Sequence, residues 1–257
     1  MNYIGIDIGS TCAKTAVLNE KEEIIQEFVQ PTGWSSVDTA EEILQKLKLA
    51  GISLSDDSSC CVATGYGRIS VPYADKAVTE ITCHALGAVH LFQQPDLTVI
   101  DIGGQDTKII QIEQGFVKDF IMNDKCAAGT GRFLEVMANT LSLRPNEMFE
   151  LARLGSDTTI SSMCTVFAES EVIGLIGKGE PKENIAYAVV DSTIRKVTAQ
   201  LSRMNGEMST FCLTGGLCEC EYIREALSKK LGKEVISSPD ARYAGAIGAA
   251  LSAMKIR

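Results

Sequence analysis

Apolar and polar positions along this chain fall into two kinds of period. Residues 6–18 read IDIGSTCAKTAVL and residues 100–112 read IDIGGQDTKIIQI. In each, a short apolar strand ends at an aspartate, a glycine turn follows, and a second apolar run begins at a lysine. That pattern predicts two β-hairpins. Helical spacing appears instead at Phe133, Leu134, Met137 and Leu141, and in the runs 165–177 and 221–231. A short apolar strand in 211–219 (FCLTGGLCE) runs into Gly215 and Gly216. The small-residue stretch 243–255 (YAGAIGAALSAMK) predicts a closely packed C-terminal helix whose apolar face is core.

The two hairpins share one register: Asp7, Gly9 and Lys14 in the first, Asp101, Gly103 and Lys108 in the second. Gly9, Gly103 and Gly104 are expected to take positive φ and to turn backbone N–H groups toward an anion. Ser10 and Thr11 can donate to phosphate oxygens. Asp7 or Asp101, at a strand end, can hold Mg²⁺ through water. One such turn by itself reads more simply as structural than as functional. Two copies about one domain apart point to a clamp for phosphates. Neither segment is a GxxxxGK[ST] loop or a G-x-G-x-x-G turn.

Composition narrows the class. The chain has 257 residues, 45% hydrophobic, enough for one large domain or two ordinary ones. Net charge is −9 and pI about 4.9, with no basic cluster, which argues against nucleic acid as a partner. The N-terminus MNYIGIDIGS lacks the basic and apolar regions of a signal peptide, and no run approaches a membrane span. A cytoplasmic protein is expected. Nine cysteines, an odd number in a chain that is not small, fit reduced thiols or metal ligation better than a disulfide scaffold. His84 and His90 read as ordinary helix residues, so a histidine-based zinc site is not expected.

Cysteine chemistry has its sharpest setting in residues 123–135, NDKCAAGTGRFLE. Cys126 precedes two glycines and an amphipathic run, and the first turn of a helix favours a thiolate or phosphate. This segment and residues 161–173, SSMCTVFAESEVI, resemble the ATP-dependent activators of 2-hydroxyacyl-CoA dehydratases and the related benzoyl-CoA reductase subunits. The family lies within the superfamily of actin, sugar kinases and heat-shock chaperones. ATGYGR (63–68), ADKAVTEITCHALGA (74–88) and SPDARYAGAIGAAL (238–251) extend the likeness over essentially the whole chain.

The resemblance implies a two-lobed, actin-like α/β fold of duplicated ribonuclease-H-like lobes with ATP in the cleft. Lobe boundaries are expected at 1–94 plus 241–257 and at 95–240, with 93–97 (QQPDL) as the crossover. ATP/ADP phosphates would lie between the first turn (Gly9, Ser10, Thr11, Cys12, Ala13, Lys14) and the second (Gly103, Gly104, Gln105). Adenosine would rest on Gly215 and Gly216 with Arg242 nearby. The resemblance further implies a homodimer sharing one [4Fe–4S] cluster, with Cys126 and Cys164 as each chain's ligands. An electron would come from a ferredoxin or flavodoxin and pass to an iron–sulfur enzyme of the dehydratase type, driven by ATP hydrolysis.

The residues themselves add several expectations. A two-fold axis supplies the four thiolates a cubane cluster needs. Both cysteines are expected near helix N-termini. Gln105 is expected to orient the attacking water beside Asp7 and Asp101. Glu169 and Glu171 read most simply as helix caps. Cys12 lies in the first turn, Cys60 and Cys61 at a strand start and Cys83 in a helix. Cys212, Cys218 and Cys220 flank the Thr-Gly-Gly turn, where one pair is an incomplete metal site. Open alternatives are reduction of a double-cubane protein or of benzoyl-CoA reductase, and a nucleotide-switched binding module. A small-molecule kinase, with Asp106 or Asp124 as base, is a further one.

Overall fold

The computed structural model describes residues 1–54, 58–162, 164–206 and 210–256. Met163 of the second cysteine segment and Arg257 of the C-terminal segment therefore lie outside the described residues. These residues form two five-stranded sheets. The chain divides into two compact units, 1–97 with 110–118 and 240–257, and 98–109 with 119–239.

The first sheet contains β1 (Asn2–Ile8), β2 (Cys12–Leu18), β3 (Ile24–Pro31), β4 (Ser59–Thr64) and β5 (Lys76–Ala77), in the order β3-β2-β1-β4-β5. β1 pairs antiparallel with β2, so that Asp7 faces Lys14, and parallel with β4. Ile4, Ile6 and Ile8 bury one face of β1 against Ile43 and Leu47 of α1 (Ser36–Leu49). Ser35 caps that helix by accepting the Asp38 N–H at 3.2 Å.

The second sheet contains β6 (Leu97–Ile102), β7 (Thr107–Glu113), β8 (Phe116–Asn123), β9 (Thr210–Gly215) and β10 (Val235–Ile236). Its order is β10-β9-β6-β7-β8. Counted from its own first strand, each sheet has its third, second, first, fourth and fifth strands side by side. The repeat seen in two short motifs is thus a repeat of whole sheets.

Helices fill the connections. α2 (Glu80–Phe92) precedes the second sheet. α3 (Gly131–Thr140), α4 (Pro145–Ala152), α5 (Thr165–Gly177) and α6 (Lys182–Leu201) lie between β8 and β9, α7 (Glu221–Leu231) follows β9, and α8 (Ala244–Met254) ends the chain. Phe133, Leu134, Met137 and Leu141 are all buried in one core with Ile100, Ile102 and Val189. α8 packs on α2 and β1 through backbone contact. A Cβ at Gly248 would overlap the Cys83 carbonyl, and one at Gly5 would overlap that of Ala246. The small residues of 243–255 are therefore required by close approach. Among the described residues, no helix is long and apolar enough to cross a membrane.

Candidate nucleotide and cysteine site

The two glycine turns have the same hydrogen bond. Gly9 N–H donates to the Cys12 carbonyl at 3.1 Å, and Gly103 N–H donates to the Asp106 carbonyl at 2.9 Å. Neither Gly9 nor Gly103 is left-handed, nor is Gly104, contrary to the expectation. Gly9 and Gly103 are needed for space: a Cβ at Gly9 would stand 3.0 Å from the Cys12 carbonyl, and one at Gly103 would overlap the Asp106 carboxylate. Their own N–H groups are used within the turn and so are not open to an anion. Thr11 and Gln105 stand exposed at the tips, with Ser10, Cys12 and Lys14 half-buried and Ala13 buried. Thr32 braces the first turn, its hydroxyl donating to the Gly9 carbonyl at 2.7 Å and its N–H to that of Thr11 at 2.9 Å.

Each aspartate is enclosed by a Thr-Gly pair at the end of the sheet's fourth strand. Gly65 (φ 82°) and Gly215 (φ 83°) both take the left-handed conformation that glycine favours. A Cβ at Gly65 would stand 2.5 Å from Asp7 Oδ1, and one at Gly215 would stand 2.8 Å from Asp101 Oδ1. Thr64-Gly65 is thus the first-unit counterpart of Thr214-Gly215, a repeat that the shared Thr-Gly dipeptide could have revealed. Gly216 faces open space. Arg242 lies in the turn Pro239–Tyr243. Burial and the Asp240 charge push the Glu27 carboxyl up, and Arg242 partly offsets them.

The two aspartates then differ. Asp101 is 2% exposed; its Oδ1 accepts the Thr214 hydroxyl at 2.9 Å and its Oδ2 meets Lys108 Nζ at 3.1 Å. Lys108, 1% exposed, also reaches Asp106 at 3.0 Å. Asp7 is 3% exposed, and among the described residues its buried Oδ1 has no hydrogen-bond partner. Its other oxygen lies against Gly245, as does the ring of buried His84. The cause is one residue: the second turn carries Asp106, which draws its lysine inward, where the first carries Cys12. An unsatisfied buried carboxylate oxygen is costly and fits a cation, so Asp7 is the aspartate suited to Mg²⁺. Asp106, as an ion-paired buried group, is poorly placed as a kinase base. Sequence reading missed the role of Lys108, whereas His84 is the buried helix residue expected of it.

The cysteines sort by exposure. Cys60, Cys61, Cys83, Cys212 and Cys218 are buried, Cys12, Cys126 and Cys220 are intermediate, and Cys164 is exposed. Burial pushes the Cys83 thiol up to about 11, and raises those of Cys61, Cys212 and Cys220. Cys164 is the N-cap of α5, as expected. Cys126 is not at a helix end: α3 has Thr130 as its N-cap, four positions on. The first N–H groups of α3 go elsewhere, Gly131 to the Gly103 carbonyl at 2.9 Å and Arg132 to that of Gly104 at 2.8 Å. Glu171 does not cap α5 but reaches back, accepting the N–H groups of Ser161 and Ser162 at about 3 Å (3.0–3.1 Å) in the segment leading to Cys164. Glu169 accepts the Thr140 hydroxyl at 3.1 Å, joining α5 to α3. Among the described residues, no three histidine, cysteine or acidic side chains converge to hold an ion.

Duplicated sheets of this order, each opening on an Asp-Gly turn, define the class of actin-like, sugar-kinase-fold ATPases. Residues 4–253 match the family described as BadF/BadG/BcrA/BcrD ATPase. The chain belongs to that family. It is 43% identical over 254 residues to the (R)-2-hydroxyglutaryl-CoA dehydratase activating ATPase of Acidaminococcus fermentans, covering 98% of this chain and 96% of that one. The crystal structure of component A of that organism's (R)-2-hydroxyglutaryl-CoA dehydratase matches with a TM-score of 0.92 at 42% identity, over 100% of this chain and 98% of the other. The activator of the 2-hydroxyisocaproyl-CoA dehydratase from Clostridium difficile, solved with bound ADPNP, matches with a TM-score of 0.89 at 34% identity, over 100% and 95%.

Proposed function

We propose that this chain is an ATP-hydrolysing activator of a 2-hydroxyacyl-CoA dehydratase and passes single electrons to that iron–sulfur enzyme. Its relatives are dehydratase activators, one named as an ATPase and another solved with an ATP analogue. In this reading Asp7 holds Mg²⁺, directly or through water. Ser10, Thr11, Lys14, Gly104 and Gln105 serve the phosphates. Gln105, a neutral group at an exposed tip, orients water without taking its proton. Asp101 acts through its buried ion pair, keeping the second turn in shape. Gly215, Gly216 and Arg242 take the adenosine.

Cys126 and Cys164 of two copies hold a [4Fe–4S] cluster on a two-fold axis. When bound, such a cluster supplies one-electron transfer whose potential follows local charge, hydrogen bonding and exposure. A ferredoxin or flavodoxin is the electron donor, and the setting is the cytoplasm. The observation that carries the proposal is the exposure of the cysteines. Cys164 is the exposed one, at a helix start, and Cys126 is half-buried on a braced loop, whereas five of the other seven are buried.

Anaerobic purification tests the proposal. The expected product is a brown dimer with about four irons per two chains that hydrolyses ATP. Cys126→Ser and Cys164→Ser are each expected to lose iron and keep ATP binding. Full iron content in either variant refutes the ligand assignment.

A further inference from the structure

The loop that carries Cys126 is tied down at four successive carbonyls. Asn123 Nδ2 donates to the Cys126 carbonyl at 2.7 Å and to that of Ala128 at 3.2 Å. The Thr130 hydroxyl donates to the Ala127 carbonyl at 2.6 Å. The fourth bond comes from outside the loop: the Thr107 hydroxyl donates to the Gly129 carbonyl at 2.6 Å, fully buried. Thr107 is the first residue of β7, directly after the second phosphate turn, and its neighbour Lys108 is fixed on Asp101 and Asp106.

Two further bonds join the same partners. The Gly131 and Arg132 N–H groups, which α3 cannot satisfy internally, donate to the carbonyls of Gly103 and Gly104. Gly131 allows that approach, since a Cβ there would stand 3.2 Å from the Gly103 carbonyl. Gly129 is left-handed (φ 84°), and a Cβ there would stand 2.7 Å from the Lys196 side chain, so this position of the loop suits glycine. All these residues belong to one unit.

We propose that the second phosphate turn and the Cys126 loop move as a single body, and that Thr107 is the positioning residue that passes the state of the nucleotide's phosphates to Cys126. The proposal rests on the reading above that phosphate binds at Gly104 and Gln105. A turn that shifts when the terminal phosphate leaves carries its carbonyls with it, and three hydrogen bonds transfer that shift to 129–132. Without the Thr107 hydroxyl, the Gly129 carbonyl is a buried acceptor lacking its partner, and the loop exchanges with open conformations.

Hydrogen–deuterium exchange on the protein as purified tests this, with ADP compared against a non-hydrolysable ATP analogue. In the wild type, the nucleotide is expected to change exchange both at 103–106 and at 126–132. Thr107→Ser is expected to keep both responses. Thr107→Val is expected to keep the response at 103–106 and nucleotide affinity, to lose the response at 126–132, and to exchange about tenfold faster there. A Thr107→Val protein with the wild-type response at 126–132 overturns the proposal. So does a wild-type protein whose nucleotide response stops at 103–106, a result that needs no variant to fold. Iron content separates the two readings. An iron-free wild type that shows the coupled response sinks the electron-donor function and leaves the coupling intact. An iron-bearing ATPase with no response at 126–132 does the reverse.

Discussion

Lys108→Met examines the second turn directly. Lys108 Nζ lies 3.1 Å from Asp101 and 3.0 Å from Asp106, with all three side chains at most 5% exposed. At an effective dielectric of about 20, each pair is worth roughly 5 kcal/mol of gross attraction. Desolvation of three charges offsets most of that, so the native triad itself adds little net stability. Deleting its cation is another matter, because two carboxylates then face each other in a buried site. The expected loss is about 3–5 kcal/mol, which lowers the unfolding midpoint by about 6–20 °C for a chain of this size. Asp106→Asn combined with Lys108→Met is expected to recover part of the loss by removing one of the unpaired charges. The assay is thermal and urea unfolding of nucleotide-free protein, with near-ultraviolet circular dichroism to confirm the native starting state. A Lys108→Met cost below about 1 kcal/mol would refute the reasoning, as would a double variant less stable than the single.

The remaining predictions concern the other turn and the cysteine segments. Asp7→Asn is expected to keep nucleotide binding and to lower the ATP hydrolysis rate by about 10²-fold or more; an unchanged rate in a malachite-green assay with saturating Mg²⁺ would show that Asp7 does not serve the cation. Glu171→Gln is expected to cost about 1 kcal/mol, since its bonds to Ser161 and Ser162 are partly open to solvent. Burial pushes the Glu171 carboxyl up, but the N–H groups of Ser161 and Ser162 hold it below the ordinary 4.5. Because the folded value is the lower one, its stabilisation is present above about 4.5 and is lost as pH falls through the folded value. The wild type and Glu171→Gln should therefore converge in midpoint on acidification, and a difference that widens would be the wrong sign.

Much of the frame was legible because it rests on local rules. The hairpins at 6–18 and 100–112 follow from strand, glycine and strand in the right order. The helices at 165–177 and 221–231 follow from apolar spacing, and both have the bounds expected of them. The duplicated register placed Asp7 with Asp101 and Lys14 with Lys108 as equivalents, and their backbone positions are equivalent.

What the chain order alone could not supply is which of two equivalent side chains is turned inward. Lys108 is buried because Asp106, two residues before it, and Asp101, seven before it, converge only when β6 and β7 pair. Cys126 has the local signature of a thiol at a helix start, yet the first N–H groups of α3 go to Gly103 and Gly104, far back in the sequence. Thr107 carries no motif that marks it, and its hydroxyl gains a partner only when the loop folds over it. Local propensity and periodicity are written residue by residue, so they determine strands, turns and helices. Hydrogen bonds and buried charges are settled by pairs distant along the chain, so only the tertiary structure decided which aspartate is left open and what holds the cysteine loop.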